Sequence, residues 1–396
     1  MSPLPGSRPL FRHGRLVALL DAILRRSGSS AEEAAIVAAN LVEADARGHA
    51  SHGVCQIAVY ARSLELGHLQ PNRHARVLRD APPFLAVDGD VGYGQVIARE
   101  ATDMAIARAR AGGACILSLR NAHHIGRVGA YGEQCIAAGL IGIFFVNVVS
   151  RPLAAPHGGG RPRLGTNPIC IAVPGSGLSG SGVSGPGMPR AAGGGSGRAP
   201  FLLDFATSAV AANKCRVAAA MGKPVEDGLL LDPDGRPTRD PGVMFSEPTG
   251  AILPFGGQTS GHKGYGLALA CEILAGALAA GLPALPVNLR PGRVVNNALA
   301  FVIDPARAAA PEGGIAGADG SGTAAGWQAL SDAVLDYVTE TPPVPGGAGV
   351  RVPGEPELRH REAALRDGIA LDPDTVAALH RIGGGLGLDV PALLAG

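Results

Sequence analysis

Apolar residues recur at helical spacing near the start of the chain. Residues 14–46 contain two amphipathic segments, and the second opens with Glu32 and Glu33. Acidic side chains in a first turn interact favourably with the helix dipole, which supports a helix start there. A third helical pattern covers 56–66 and stops at Gly67, a common residue after a helix end. These patterns predict a small helical unit at the beginning of the chain.

From about residue 83, short apolar runs that suit strands alternate with helical patterns. The clearest strand pattern is 141–149, and the longest helical pattern is 264–280. Interleaved helices and strands without a regular βαβ alternation predict an α/β or α+β fold. The other predicted strands are 84–87, 114–119, 169–173, 201–204 and 298–303, and the other predicted helices are 96–111, 129–138, 357–366 and 373–382.

Two glycine-rich segments, 175–199 and 309–326, interrupt the mixed region. Such segments carry too little apolar surface to offset the entropy of ordering the chain. We therefore expect both to be flexible insertions.

Composition narrows the function classes. The 396 residues carry 34 Lys+Arg against 33 Asp+Glu, a net charge of +1 that gives no basic surface for nucleic acid or an anionic membrane. A hydrophobic content of 46% excludes a wholly disordered chain. Six scattered cysteines without a CxxC pair are typical of reduced thiols in a cytosolic protein.

Neither the N-terminal segment nor the longest apolar stretch has the pattern of a signal peptide or a membrane span. Arg8, Arg12 and Arg15 leave no uninterrupted apolar core for a signal peptide. The longest apolar stretch, 264–287, is broken by Glu272 and reads as a buried helix followed by a loop. We expect a cytoplasmic protein that binds neither nucleic acid nor membrane.

The common phosphate-binding glycine loops are missing from the sequence. No GxGxxG motif follows a predicted strand, and no GxxxxGK[ST] motif occurs. Any dinucleotide must therefore bind without the usual Rossmann fingerprint.

Histidines form the strongest chemical signal. His49 and His52 lie in one short segment with Arg47, and His123 and His124 follow a predicted strand. Imidazole titrates near neutral pH, which suits proton transfer at a strand end. The competing interpretations are structural histidines and a zinc site. The second lacks a complete tetrahedral ligand set, and we predict no metal.

Three further stretches are rich in backbone donors and small polar side chains. They are 165–168, 204–208 and 262–266. Hydroxyls and amides at a helix start bind phosphate, and Lys263 adds a positive charge. Ordinary helix capping and a solvated lysine explain the same residues.

Six ordered motifs carry a family resemblance. They are RGHASHG at 47–53, HHIGRVGAYGEQCIAAG at 123–139, LGTNPI at 164–169, LLDFATS at 202–208, GHKGYGLALACEILAGAL at 261–278 and VPGEPE at 352–357. In this order they resemble the malate/L-lactate dehydrogenase type-2 family of NAD(P)-dependent oxidoreductases. The match runs from about 12 to 392, and within the family it looks most like the bacterial hydroxycarboxylate dehydrogenase B branch, a hydroxyphenylpyruvate-type reductase.

The resemblance implies a fold and partners. It implies a non-Rossmann cofactor domain on a mixed, largely antiparallel sheet, with a helical domain formed by both ends of the chain. The expected units are a helical segment 1–78, an α/β domain 79–330 and a helical segment 331–396 that packs with the first. The expected partners are NAD or NADP, a small 2-oxo or 2-hydroxy acid, and a second copy in a homodimer.

The resemblance also implies site residues. Acid–base catalysis falls on His124, with His52 and Ser51 as the other catalytic residues. Cofactor contacts fall on His52, Gly126, Arg127, Val128, Asp204, Phe205, Ala206, Thr207, Ser208, His262, Lys263, Asn296, Gly354, Glu355, Pro356 and Glu357. Substrate contacts fall on Arg47, Gln56, Tyr60, His124, Thr166 and Asn167.

One position departs from the family pattern. Many members carry arginine four residues after the SHG histidine, where it holds the substrate carboxylate, and this chain has Gln56. A neutral amide cannot make that bidentate contact. Arg47, Arg120 or Arg127 then takes the task, or the substrate differs. The expected activity is hydride transfer between NAD(P) and a 2-hydroxy acid/2-oxo acid pair of the hydroxyphenylpyruvate or phenylpyruvate, lactate or malate type. Reduction of a cyclic imine carboxylate and ligand binding without turnover are the alternatives.

Overall fold

A computed structural model describes residues 9–178, 197–309 and 326–395. Most of the two predicted flexible insertions, 175–199 and 309–326, lies outside the described residues. Within the described parts, the alternation of helix and strand patterns is confirmed as a mixed fold.

A seven-stranded sheet forms the centre of the molecule, in the order β2-β3-β4-β11-β5-β6-β7. Only β3 and β4 pair in parallel, and every other neighbouring pair is antiparallel, as expected for a largely antiparallel sheet. The strands are β1 Leu10–Phe11, β2 Arg76–Ala81, β3 Phe84–Asp88, β4 Ala114–Ala122, β5 Ile141–Val149, β6 Pro168–Val173, β7 Phe201–Ala206, β8 Leu230–Leu231, β9 Pro237–Thr238, β10 Ala251–Ile252, β11 Val295–Ile303 and β12 Ile369–Ala370.

Helices cover the sheet and form a separate cluster beside it. The longest purely α-helical element has 19 residues, and the predicted long helix is continued by a π-helical segment, Glu272–Leu278. The helices are α1 His13–Arg26, α2 Ala31–Ala46, α3 Gln56–Glu65, α4 Gly94–Gly112, α5 Gly129–Ala137, α6 Ala212–Ala220, α7 Gly257–Cys271, α8 Pro305–Ala308, α9 Trp327–Thr339, α10 Glu355–Asp367, α11 Pro373–Gly385 and α12 Val390–Leu394.

Several elements depart from the sequence prediction. Helix α7 begins at Gly257, seven residues before the predicted start at 264, because its first turns are polar and glycine-rich and show no apolar periodicity. Strand β2 was not predicted, since it is an exposed edge strand with charged residues. The small sheet β10-β8-β9 and helices α6 and α9 were also missed; the small strands are two residues each, and α9 has no buried residue.

Two large apolar cores organise these elements. One lies between the central sheet and helices α4 and α5, and includes Val87, Ile97 and Phe144. The other joins helices α1 to α3 with residues near the end of the chain, such as Leu379 and Val390. Strands β1 and β12 pair antiparallel, so residues from both ends of the described chain lie together.

The antiparallel pairing brings distant motifs to one end of the sheet. Strands β4 and β5 both run antiparallel to β11, so their C-terminal ends lie beside the beginning of β11. The beginning of β6 and the end of β7 lie at the same end of the sheet. The segments that contain His124, Asn296, Asn167 and Thr207 therefore converge there, although they are far apart in sequence.

No helix in the described ranges is both long and apolar enough to cross a membrane.

Candidate active site

Two histidines from different parts of the chain stack at the junction of the helical cluster and the sheet. His52 lies on a 3₁₀ turn, Ala50–His52, and His124 follows strand β4. Their ring centroids are 5.5 Å apart and the ring planes differ by 20°. Burial lowers the pKa of His52 to about 4 and holds the pKa of His124 well below its usual value, so both rings are neutral at pH 7.

The turn that carries His52 is fixed by a buried carboxylate. Asp45 accepts the Val54 N–H at 2.6 Å, and a Cβ atom at Gly53 would collide with the same carboxylate. Burial raises the pKa of Asp45 to about 7. The glycine of the SHG motif is therefore required by a close approach to helix α2, and Ser51 Oγ then lies 2.8 Å from His52 Nδ1.

His124 is held by a tyrosine and a glutamine. The hydroxyl of Tyr60 lies 2.8 Å from His124 Nδ1, and the side-chain amide of Gln95 donates to the same hydroxyl oxygen at 2.5 Å. Tyr60 is fully buried and Gln95 is 1% exposed. The structure thus places Tyr60, one of the predicted substrate contacts, at hydrogen-bond distance from His124 Nδ1.

Sequence reasoning missed Gln95. The available signal was its position in GYGQ at 92–95, directly after a strand and turn and at the start of helix α4. A Cβ atom at Gly94 would collide with the carbonyl oxygens of His123 and His124. Glycine at 94 therefore lets the helix start lie against the histidine segment, and Gln95 reaches Tyr60 from there.

The neighbouring histidine has a different environment. His123 is fully buried, and its Nε2 lies 3.1 Å from Ser63 Oγ on helix α3. Burial lowers the pKa of His123 to about 3. Of the two consecutive histidines, only His124 stacks on His52.

A buried ion-pair cluster lies between helices α2 and α5. Glu133 pairs with Arg47 at 3.2 Å and with Arg127 at 2.7 Å, and Arg47 also pairs with Glu43 at 2.8 Å. Burial lowers the pKa of Arg47. Burial also opposes the charge on Arg127, but Glu133 and Asp204 raise its pKa overall.

These ion pairs affect which arginine could hold a substrate carboxylate. The third candidate, Arg120, donates to Asp88 at 2.8 Å, so each of the three arginines considered from sequence already has a carboxylate partner. The Gln56 amide donates to the Ser51 carbonyl at 2.7 Å, which directs it to the backbone of the His52 turn.

The expected cofactor residues come together along the sheet end. Asp204 accepts the Gly129 N–H at 2.7 Å, beside Arg127, and burial raises the pKa of Asp204. Asn296 accepts the Ile125 N–H at 3.0 Å. The segment containing Gly126, Arg127 and Val128 therefore contacts both strand β7 and the start of β11.

The motif VPGEPE at 352–357 lies near the same predicted cofactor residues. Leu202 donates its N–H to the Pro353 carbonyl at 2.9 Å, which places the segment of Gly354, Glu355, Pro356 and Glu357 beside strand β7. Glu357 lies 3.7 Å from His49 Nε2, and this contact lowers the pKa of Glu357.

The hydroxyl and amide residues mainly hold the backbone. Thr207 Oγ1 donates to the carbonyls of Thr166 and Asn167 at 3.1 and 3.0 Å. Ser208 Oγ donates to the Val210 carbonyl at 3.0 Å. Asn167 is fully buried and donates to Glu272 at 2.9 Å. Their side chains fix the loops, which leaves backbone groups to contact a ligand.

His262 and Lys263 are less closely connected to the histidine pair. Both are exposed on helix α7, and His262 packs edge-on against His157 with ring centroids 5.7 Å apart. Phe255, just before the helix, donates its N–H to the Thr207 carbonyl at 2.8 Å and packs against Phe205, which follows Asp204 and precedes Ala206. A cleft of about 460 Å³ opens beside Phe255, between Ala209, Asp227 and Gly256.

Within the part of the chain that the structure describes, no group of three or more His, Cys, Asp or Glu side chains is placed to hold a metal ion.

Comparison with known proteins shows which family the chain is related to. The profile of the malate/L-lactate dehydrogenase family matches residues 11–181 and 186–380. The L-lactate dehydrogenase of Cupriavidus necator is 38% identical over 357 residues, covering 90% of this chain and 91% of that protein. Hydroxycarboxylate dehydrogenase B of Escherichia coli K12 is 37% identical over 366 residues, covering 92% and 91%.

A solved structure has the same fold. The malate dehydrogenase of Pyrococcus horikoshii OT3 superposes with a TM-score of 0.78 at 29% identity, covering 98% of this chain and 99% of that one. The family resemblance, including that to hydroxycarboxylate dehydrogenase B, is thus confirmed. Dehydrogenases of this family generally use nicotinamide cofactors and act on small hydroxy or oxo acids. The chain belongs to the malate/L-lactate dehydrogenase family and is an oxidoreductase of the hydroxy-acid dehydrogenase type.

Proposed function

We propose that the protein interconverts a 2-hydroxy acid and a 2-oxo acid with NAD or NADP, and that His124 is its acid–base residue. The observation that carries the proposal is the half-buried, neutral His52–His124 stack, with the Nδ1 atom of His124 engaged by Tyr60. Because Nδ1 is occupied, Nε2 is the nitrogen available to a substrate oxygen. In oxidation a neutral ring that carries its proton on Nδ1 takes the hydroxyl proton at Nε2 and becomes an imidazolium, and in reduction the imidazolium returns the Nε2 proton to the carbonyl oxygen.

The residues present fit a nicotinamide nucleotide. Nη1 of Arg127 and Nη2 of Arg47 are buried nitrogens with no hydrogen-bond partner among the described residues. The half-buried carboxylate of Asp204 lies next to Arg127 and accepts the Gly129 N–H. Together these groups offer donors and an acceptor for the polar oxygens of a nucleotide.

The cofactor would then be held by the segments 126–129, 204–208 and 354–357. When bound, the nicotinamide supplies the hydride donor or acceptor. The ring of His52 stacks on His124, and the Ser51 hydroxyl lies beside His52 Nδ1. These contacts hold the His124 ring in place for the substrate oxygen. Helix α3 and the start of α4 close the other side of His124 through Tyr60 and Gln95, and so exclude water from Nδ1.

The environment of Gln56 supports a monocarboxylate substrate. The amide at this position is neutral and donates to the Ser51 carbonyl. Arg120 pairs with Asp88, and the partnerless nitrogens of Arg47 and Arg127 are assigned to the cofactor in this proposal. A second substrate carboxylate would be costly to bury without a cation. We therefore propose phenylpyruvate-like or other monocarboxylic 2-oxo acids over oxaloacetate.

A plate assay of NADH and NADPH oxidation tests the proposal. The panel contains phenylpyruvate, hydroxyphenylpyruvate, pyruvate, oxaloacetate and a cyclic imine carboxylate. Turnover of a 2-oxo acid is the expected result. Turnover of the imine alone would replace the proposed substrate class, and cofactor binding without turnover of any compound would identify a ligand-binding member.

We extend the proposal to a cytoplasmic homodimer. Helix α9 presents Leu330, Val334 and Tyr337 on its surface, with exposed fractions of 56%, 61% and 79%. An apolar stripe at helical spacing supports burial against a second copy of the chain. Light scattering coupled to size-exclusion chromatography should give twice the 39.8 kDa chain mass, and a mass of one chain would exclude the dimer.

A further inference from the structure

Gln95 and Tyr60 together determine the hydrogen bond at one ring nitrogen of His124. Tyr60 has one hydroxyl proton. The Gln95 amide nitrogen lies 2.5 Å from the hydroxyl oxygen and donates to it. The hydroxyl proton must then point to an acceptor other than the Gln95 amide nitrogen. His124 Nδ1, which lies 2.8 Å from the hydroxyl oxygen, is that acceptor.

We propose that Gln95 and Tyr60 are positioning residues that set the tautomer of His124, so that Nδ1 accepts and Nε2 carries the proton. This inference rests on the proposed function for its catalytic consequence. Which imidazole nitrogen is protonated follows from the hydrogen bond that the other nitrogen makes. A protonated Nε2 is the hydrogen-bond donor that a substrate carbonyl oxygen requires.

The burial of Tyr60 and Gln95 makes this control effective. Tyr60 is fully buried and Gln95 is 1% exposed, so water does not compete for the hydroxyl. The Gln95 side chain starts from the first turn of helix α4, and Tyr60 starts from helix α3. Both side chains therefore start from helices that pack against the histidine segment.

Gln95 has a second feature that bears on the reverse reaction. Its carbonyl oxygen, Oε1, is buried and has no hydrogen-bond partner among the described residues. If Oε1 faced Tyr60, the hydroxyl would donate to Gln95 and accept from His124 Nδ1–H. The Nε2 atom would then be free to accept a proton, as oxidation of a hydroxy acid requires.

A carboxylate at position 95 distinguishes the two orientations. In Gln95→Glu the side chain can only accept from Tyr60, so the network should reverse and Nδ1 of His124 should become protonated. The added negative charge should also raise the pKa of His124 and move the acidic limb of the rate profile to higher pH. Gln95→Leu removes the donor without adding an acceptor and keeps Tyr60 pointing at Nδ1.

The chain offers a matched control on the same helix. Ser63 lies three residues after Tyr60 and holds His123 as Tyr60 holds His124. Ser63→Ala and Tyr60→Phe each remove one hydroxyl beside one of two consecutive histidines. Tyr60→Phe should lower kcat/KM by roughly 10- to 100-fold, and Ser63→Ala should leave kcat/KM and its pH profile unchanged.

The deciding experiment is ¹⁵N NMR of the histidine rings in the cofactor-free protein, with His124 assigned by its loss in His124→Gln. The expected wild-type spectrum has an unprotonated Nδ1 and a protonated Nε2, reversed in Gln95→Glu. A protonated Nδ1 in the wild type, or no change in Gln95→Glu, would overturn the assignment.

This readout needs no turnover, so the two proposals fail separately. If the tautomer is as expected but no 2-oxo acid is reduced, the proposed function is wrong and the tautomer assignment stands. If the enzyme turns over but Tyr60→Phe and Gln95→Glu keep wild-type kcat/KM and pH profile, the positioning role is wrong.

Discussion

The imidazole of His124 stacks on that of His52, with ring centroids 5.5 Å apart and ring planes that differ by 20°, and desolvation lowers the pKa of both rings so that both are neutral at pH 7. Two protonated rings at this distance would repel each other in a medium of low dielectric constant. The pair therefore holds at most one added proton at a time, which is what a single acid–base step needs.

The first prediction concerns His124. Replacing it with glutamine should lower kcat by roughly 10²- to 10⁴-fold, the usual size of a general acid–base contribution. NADH binding, measured by fluorescence titration, should stay close to wild type. His74→Gln is the matched control, since His74 is exposed and pairs with Glu100. Near wild-type turnover in His124→Gln would remove this residue from the mechanism.

The second prediction concerns Gln56. The wild-type enzyme should show a higher kcat/KM for phenylpyruvate-like monocarboxylates than for oxaloacetate. Gln56→Arg adds a cation beside the His52 turn and should narrow or reverse that difference, because arginine makes a bidentate contact with a carboxylate. A wild-type preference for oxaloacetate would mean that another cation already holds the second carboxylate.

The third prediction concerns the pH dependence of stability. The pKa of buried His123 is about 3, against 6.5 for an ordinary histidine, so the unfolded chain binds more protons between these values. The contribution of neutral His123 to the free energy of unfolding is fully present above pH 6.5 and is lost as the pH falls toward 3. The stability difference between wild type and His123→Gln should shrink by roughly 3 kcal/mol from pH 7 to pH 4.

Urea unfolding at several pH values measures this difference. His74→Gln provides a control of opposite sign, because the hydrogen bond that the exposed His74 ring donates to Glu100 raises the pKa of His74. The contribution of His74 is present below pH 6.5 and is lost as the pH rises through its folded-state pKa. If the difference in free energy of unfolding between wild type and His123→Gln stays constant with pH, His123 is not kept neutral by burial.

The fourth prediction concerns Glu133. Its carboxylate is shared by Arg47 and Arg127, both nearly inaccessible to solvent. Glu133→Gln leaves two buried cations without this partner and should cost roughly 3–5 kcal/mol of the free energy of unfolding. Glu65→Gln, which removes an exposed pair with Arg62, should change stability by less than about 1 kcal/mol. Equal effects of the two substitutions would mean that the buried cluster is solvated.

Local patterns predicted most of the secondary structure. The apolar run 141–149 became strand β5 with the same bounds, and the helix patterns in 14–46 became α1 and α2. These elements bury one face or both, so their apolar spacing reports their geometry directly. Helix α9 and strand β2 lie on the surface and lack buried stripes, so the same reasoning missed them.

The sequence also contained the site as a set of motifs. The strings around His52 and His124 identified the histidines and the family, because short motifs with fixed spacing reflect local chemistry. What the sequence could not determine was which nitrogen of His124 is free or which arginines are available. Tyr60 and His124 are 64 positions apart, and Gln95 and Tyr60 are 35 positions apart.

Only the tertiary structure decided those pairings. The antiparallel register of the sheet brings four distant segments to one end, and the helical cluster sets Tyr60 and Gln95 behind His124. Burial then strengthens these hydrogen bonds and ion pairs, because it removes the water that would otherwise compete for hydrogen bonds and screen charges. Apolar periodicity is a property of neighbouring residues, whereas a hydrogen-bond partner across the fold depends on how whole elements pack.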